Sequence, residues 1–414
     1  MLLPVTLLCA AQFLVVLDVT IVAVALPAIR DSLAMSPENL QWVVSAYTLT
    51  FGGLLIAAGR AGDVLGRRRL FTAGLVTFGA ASLACALAPS APALIVARAI
   101  QGAGAAMEAP AALALVATTA TDRRRAVSWW TAAAAAGGAS GWVLGGVLVE
   151  AFGWPAVFIV NVPLCAVGAL LAPLLLRESR GAARGLDVPG TLTVTASLAL
   201  LVLGLTQLPA VLPLAALLLA AFVAIERRVA DPILPDWALR RPGLVRANVV
   251  AFVLVATTTP AMFLAILYQQ EVLGRSALEA GLWCVPFNLA VIAGSMFRPP
   301  HAMATGLAAI GAGAAALLTL TPAALIVAFL LMGAGLGCAS VASTASGTAA
   351  LPDEEQGIAS GVLNAAAQIG SAVGVAALVP LGAHGGFVTT AVLALAAATG
   401  SMRTFRRRPT MLRR

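Results

Sequence analysis

Read from its first residue, the chain alternates long apolar runs with short polar breaks. The runs fall near 5–29, 40–58, 70–89, 92–118, 127–149, 156–176, 188–207, 209–225, 245–268, 277–297, 302–320, 322–346, 357–380 and 385–402. Most hold about 20 residues, the length an α-helix needs to cross a hydrocarbon core. Charges or Pro/Gly turns bound them, so the pattern predicts an all-α polytopic membrane protein of about fourteen spans. No stretch between the runs is long enough for a separate soluble domain.

Composition agrees. Of 414 residues 61% are hydrophobic and only 10% charged, with mean hydropathy +0.98, whereas soluble domains carry about 25% charged residues. The N-terminus "MLLPVTLLCAAQ" lacks the positive segment of a cleaved signal peptide and reads as the start of a retained span. All 25 basic residues are arginine. Without lysine there is no GK[ST] phosphate loop and no Schiff-base chemistry. His301 and His384, the two histidines, argue against a metal site, and no cofactor is expected. Cys9, Cys85, Cys165, Cys284 and Cys338 fall in or beside apolar runs at unrelated spacings and read as small core residues.

A net charge of +8 and a pI near 10.5 would point to nucleic acid in a soluble protein. Here the charge follows topology. With Met1 cytoplasmic, 22 arginines fall in inner segments, including Arg67–Arg69, Arg123–Arg125, Arg184, Arg298 and six between Arg403 and Arg414. The outer loops hold Arg30 and Arg275, and Arg98 lies within a span. This asymmetry places both termini in the cytoplasm of a cell-membrane protein. It also makes the tail "RTFRRRPTMLRR" a lipid-facing orientation signal rather than a nucleic-acid patch.

Three ionisable residues lie deep in the runs: Asp18, Arg98 and Glu108. Charges are rare at such depth and usually functional. At 1.5 Å per residue Asp18 lies roughly 13 Å below the outer surface and Arg98 roughly 9 Å. The matched depth predicts a buried ion pair, because a lone charge there is strongly destabilising. Arg98, Gln101 and Glu108 share an arc of about 80° on one helix, a polar face expected to line a cavity. Asp18 either pins two helices through Arg98 or exchanges a proton. Glu108 either joins that exchange or is a solvated cavity residue.

The chain also repeats itself. "QGAG" at 101–104 and "MGAG" at 332–335 are offset by the same 231 residues as Asp122 and Asp353. Glycines spaced by four, at Gly137, Gly141 and Gly145 and again at Gly370 and Gly374, suit close helix packing. Arg98 corresponds to Phe329 in the second copy, so the charge belongs to the first half alone.

"LDVTIVAVALP" (17–27), "GRAGDVLGRRRL" (59–70), "ARAIQGAGAA" (97–106), "GGASGWVLGG" (137–146) and "FIVNVP" (158–163) resemble, in order, motifs of the major facilitator superfamily, and its fourteen-spanner drug:proton antiporters in particular. "AFVAIERRVADPIL" and "GVLNAAAQIGSAVGVAAL" extend the resemblance over nearly the whole chain. It implies a six-helix bundle over 1–180, two additional spans and a linker over 181–243, a second six-helix bundle over 244–402, and a basic tail over 403–414. Gly59, Asp63, Gly66, Arg67 and Arg68 match the family's gating signature, with Asp63 expected to cap the third span. Asp18, Arg98 and Glu108 are the expected proton-coupling set, and Gln101 and Asn161 the expected substrate-cavity residues. Gly137, Gly141, Gly145 and Gly146 match the antiporter helix-packing motif. The chain departs from the pattern at Ala23, Val64 and Trp142, and in the short turn "FRPPHA".

The resemblance implies a monomeric exporter of amphipathic organic compounds, driven by protons and working by alternating access. Proton-coupled uptake of a small solute and a transport-deficient sensor are the alternatives. An enzyme would need a clustered nucleophile and base, and the sequence shows none.

Overall fold

The computed structural model describes residues 2–119, 123–180, 187–229, 232, 240–297, 299–348 and 353–406. Asp122, Arg184, Arg298 and the end of the arginine tail lie outside the described residues. Every regular element among the described residues is a helix. With no water to satisfy backbone groups inside a bilayer, helices that bond internally are the available solution.

The first half comprises α1 (Leu2–Leu33), α2 (Pro37–Leu65), α3 (Arg67–Ala86), α4 (Ala91–Thr119), α5 (Arg123–Phe152), the short α6 (Ala156–Ile159) and α7 (Asn161–Leu175). Next come α8 (Val188–Thr206) and α9 (Leu212–Glu226). The second half holds α10 (Pro242–Leu267), α11 (Ala277–Met296), α12 (Ala302–Leu317), α13 (Pro322–Thr348), α14 (Asp353–Leu378) and α15 (Gly382–Arg406). Among the described residues eleven helices are long and apolar enough to cross a membrane, or twelve with the bent α2 counted as one span.

Local chemistry sets several starts. Ser36 caps α2, accepting from Asn39 N at 3.3 Å ahead of Pro37. Ser276 and Glu279 form a capping box at α11. Asp187 caps α8, its Oδ1 accepting from Gly190 N at 2.9 Å. Helix α2 bends by 52° between Asn39–Leu55 and Ala57–Leu65, just after Gly52 and Gly53, where paired glycines weaken the helix against bending.

The repeat is visible in the packing. In the first half α1 packs on α5, and α2 and α3 on α4; in the second α10 packs on α14, and α11 and α12 on α13. Glycines sit at the closest approaches. A Cβ on Gly102 would collide with the Tyr47 carbonyl of α2, and one on Gly333 with the Phe287 carbonyl of α11. Gly104 meets Phe78 of α3, and Gly335 meets Gly306 and Ile310 of α12.

Helix α5 packs on α11 and α2 on α14, joining the halves. Towards the ends of α1 and α5 the ties are polar. Arg30 pairs with Glu271, Gln270 Nε2 donates to the Val24 carbonyl at 3.1 Å, and Leu278 N donates to Glu150 Oε1 at 2.9 Å. Helix α8 lies against both α2 and α14, with Leu49, Leu198, Val202, Ala372 and Ala376 forming a shared apolar cluster.

Candidate functional site

Helix α1 brings Asp18 into the centre of the first half, and the glycine face of α5 lets it come close. Side chains added at Gly137 and Gly141 would strike Phe13, Leu17 and Thr20 of α1, and one at Gly145 would stand 3.0 Å from the Ile21 carbonyl. Gly146 faces the other way, against Leu278 of α11. Trp142 is buried, and α5 runs unbroken past it.

Around Asp18 four helices contribute donors and acceptors. Arg98 Nη1 donates to Asp18 Oδ2 at 2.5 Å, while Gln101 Nε2 and Asn161 Nδ2 donate to Oδ1 at 2.8 and 3.0 Å. Arg98 also donates from Nε to the Val43 carbonyl at 2.9 Å and from Nη1 to Gln101 Oε1 at 2.6 Å. Ser82 Oγ accepts from Gln101 at 2.7 Å and from Asn161 at 3.3 Å. The guanidinium carbon lies 4.4 Å from the centre of the Tyr47 ring, so a cation–π contact supplements the charge pairing. Asp18, Ser82, Gln101 and Asn161 are fully buried, and Arg98 is 1% exposed. An ion pair removed from water is tolerable only when further hydrogen bonds support it, and here Asp18 accepts from three side chains while Arg98 donates from both Nε and Nη1.

Two expectations need correction. The polar face of α4 does not line an open cavity in this conformation: Gln101 and Asn161 are spent on Asp18 and Ser82 inside the packed bundle. The reason is that Asp18 needs more acceptor satisfaction than one arginine provides. The start of α3 is also not capped by Asp63, which lies in the last turn of α2 and accepts from Arg67 Nε and Nη2 at 3.0 and 2.8 Å. The carboxylate at that helix start is Glu178, reached from beyond α7. It accepts from the backbone N–H groups of Arg68 and Arg69 at 3.0 and 3.3 Å, where the helix dipole favours negative charge. Gly66, at φ 114, leaves room for it: a Cβ there would stand 2.7 Å from Glu178 Cδ. Gly59 faces Pro110 in ordinary contact.

Glu108 is buried on the same face of α4, about 10 Å along the axis from Gln101, and neither carboxylate oxygen has a hydrogen-bond partner among the described residues. Ser82, Tyr47, the Val43 carbonyl and Glu178 escaped the sequence reading. A serine or a carbonyl in an apolar run carries no periodic signal, and Glu178 looks like any loop acid.

The sequence profile of the family described as Major Facilitator Superfamily matches residues 8–375. The chain is 37% identical over 404 residues to the puromycin resistance protein pur8 of Streptomyces alboniger, covering 89% of this chain and 79% of that protein. It is 38% identical over 410 residues to the cephamycin export protein CmcT of Amycolatopsis lactamdurans, covering 91% and 84%. Among solved structures it resembles the human organic anion transporter MFSD10 (TETRAN) with a TM-score of 0.68 at 17% identity, covering 96% of this chain and 98% of that one.

Proposed function

The chain belongs to the major facilitator superfamily, a family of membrane transporters rather than enzymes, and from that premise we propose that it exports an amphipathic organic compound, an antibiotic or drug, in exchange for protons. The relatives' names as resistance and export proteins support the direction of transport. The observation that carries the coupling is Asp18, a fully buried carboxylate whose partners come from α4 and α7.

Protonation of Asp18 would remove the negative charge that pairs with Arg98 and turn one carboxyl oxygen from acceptor to donor. The network would then be over-supplied with donors. Movement of α1 against α4 relieves that excess, and the glycine contacts with α5 transmit it across the bundle interface. Gln101 and Asn161 act by orienting Asp18, and Glu108 is a second proton-binding carboxylate. Gly59, Asp63, Gly66, Arg67 and Arg68 form the hinge between α2 and α3 that opens and closes one side, while Gly137, Gly141, Gly145 and Gly146 allow α1 and α11 to slide on α5.

The reading takes fourteen crossings. Gly361–Ser401 contains two helices parted by Val379–Leu381, and Ala302–Leu317 is apolar though short. Both termini are cytoplasmic, the bundles span 1–180 and 244–402, and the unit is a monomer.

Proteoliposomes carrying a pH gradient test the proposal. Adding a compound to which the protein confers resistance in an efflux-deficient host should dissipate the gradient, and Asp18→Asn should abolish that dissipation while the protein still inserts. Compound movement with no proton flux would replace antiport by facilitated diffusion.

A further inference from the structure

A cavity of about 340 Å³ lies away from Asp18, between the part of α2 beyond its bend, the middle of α4 and the start of α8. The bend makes it. At Gly53, before the bend, α8 touches α2 so closely that a Cβ would stand 3.0 Å from Thr195 Oγ1. Beyond the bend the helices part, and the space is walled by apolar side chains such as Leu54, Ala58, Leu70 and Met107. Leu65 and Leu192 line it too and are 50% and 63% exposed, so the chamber opens on a side where this chain faces lipid.

Its charged lining residues are Arg60 and Asp187. Arg60 already donates from Nη2 to the Pro232 carbonyl. Asp187 is 5% exposed; Oδ1 is used in capping α8, but Oδ2 has no hydrogen-bond partner among the described residues. Glu226 of α9 comes up on the same spot, its Oε1 2.8 Å from where a Cβ on Gly190 would stand. A buried carboxylate oxygen left unpaired costs free energy that a donor recovers. The open Oδ2 of Asp187 calls for a donor, which an ammonium group supplies and an anionic headgroup does not. The volume lies in the range of small-molecule sites, which are mostly apolar with a few placed polar groups.

We propose that this chamber binds a lipophilic amine drawn from the bilayer, its apolar body between α2, α4 and α8 and its ammonium group donating to Asp187 Oδ2. That such a compound is then exported rests on the function proposed above; the binding itself does not.

The test uses the full-length protein in nanodiscs with two fluorescent probes, monodansylcadaverine, which carries an ammonium group, and its N-acetyl derivative, which is uncharged. The amine should bind about ten-fold more tightly than the acetylated probe, as one charge-assisted hydrogen bond implies. Asp187→Asn keeps the helix cap and should remove that preference, leaving the acetylated probe unaffected. Ala57→Trp, or Ala61→Trp if the first does not fold, should exclude both probes, and Asp18→Asn should change neither. Equal affinities of wild type and Asp187→Asn for the amine, binding that survives the tryptophan, or no binding by wild type would each overturn the site. Intact proton-coupled export without binding sinks this site alone; intact binding without proton flux sinks the antiport reading alone.

Discussion

Helix α4 meets its neighbours through Gly102 and Gly104, and α13 meets its own through Gly333 and Gly335, 231 residues later. The packing partners correspond, yet the chemistry does not. Arg98, Gln101 and Glu108 of α4 stand where α13 has Phe329, Met332 and Ala339, all fully buried. One copy surrounds a carboxylate with hydrogen bonds, and the other fills the same volume with apolar side chains. The glycines therefore serve the architecture, since both halves need close backbones, while the polar face belongs to the first half alone.

The largest expected effect would break the part that the halves share. Gly102→Val and Gly333→Val each force a side chain into a neighbouring carbonyl, and neither variant should yield a monodisperse peak on size exclusion. A folded Gly333→Val would mean that the second half does not depend on this contact.

A smaller effect should separate the halves. Arg98→Leu leaves Asp18 buried without its cation and should destabilise by about 3–5 kcal/mol. Phe329→Leu, at the corresponding position, keeps an apolar core and should cost under about 1.5 kcal/mol. Thermal unfolding in detergent compares them, and equal losses would reduce the ion pair to ordinary packing.

Asp18→Asn sharpens the contrast further, because it changes charge and almost no volume. Insertion and folding should persist, while efflux driven by a pH gradient into inverted vesicles should fall at least about ten-fold. Coupling at the wild-type rate would leave Asp18 as a pin for Arg98 and move the proton site to Glu108, where Glu108→Gln gives the answer.

The smallest effect concerns the α2–α3 hinge. Glu178→Gln keeps the shape but removes the negative charge at the α3 start, and should lower stability by about 0.3–1 kcal/mol. Asp63→Asn should slow transport with little change in melting temperature. A large loss of stability in Asp63→Asn would make it a structural residue and not a hinge.

Much of this was legible beforehand. Apolar run length marked the spans, and arithmetic on helix rise put Asp18 and Arg98 at similar depth, because spans in one bilayer share a common axis. The repeat was legible because close backbone approach admits little besides glycine. The capping of α3 was not. Asp63 and Glu178 are both acids near basic loops, and only the path of the chain after α7 decides which one reaches the Arg68 and Arg69 amides.

By itself the sequence determined the class of the protein, its helical spans, the glycine contacts that duplicate its halves, and the presence of one buried charge pair. All of these follow from local periodicity or from the cost of an unpaired charge in hydrocarbon. Tertiary structure alone decided what surrounds that pair. Ser82, Asn161, the Val43 carbonyl and the Tyr47 ring come from helices distant in the chain, and their convergence closed the polar face that looked open on paper. The chamber beside Asp187 was decided in the same way, because it exists only where the bend in α2 carries one helix away from another.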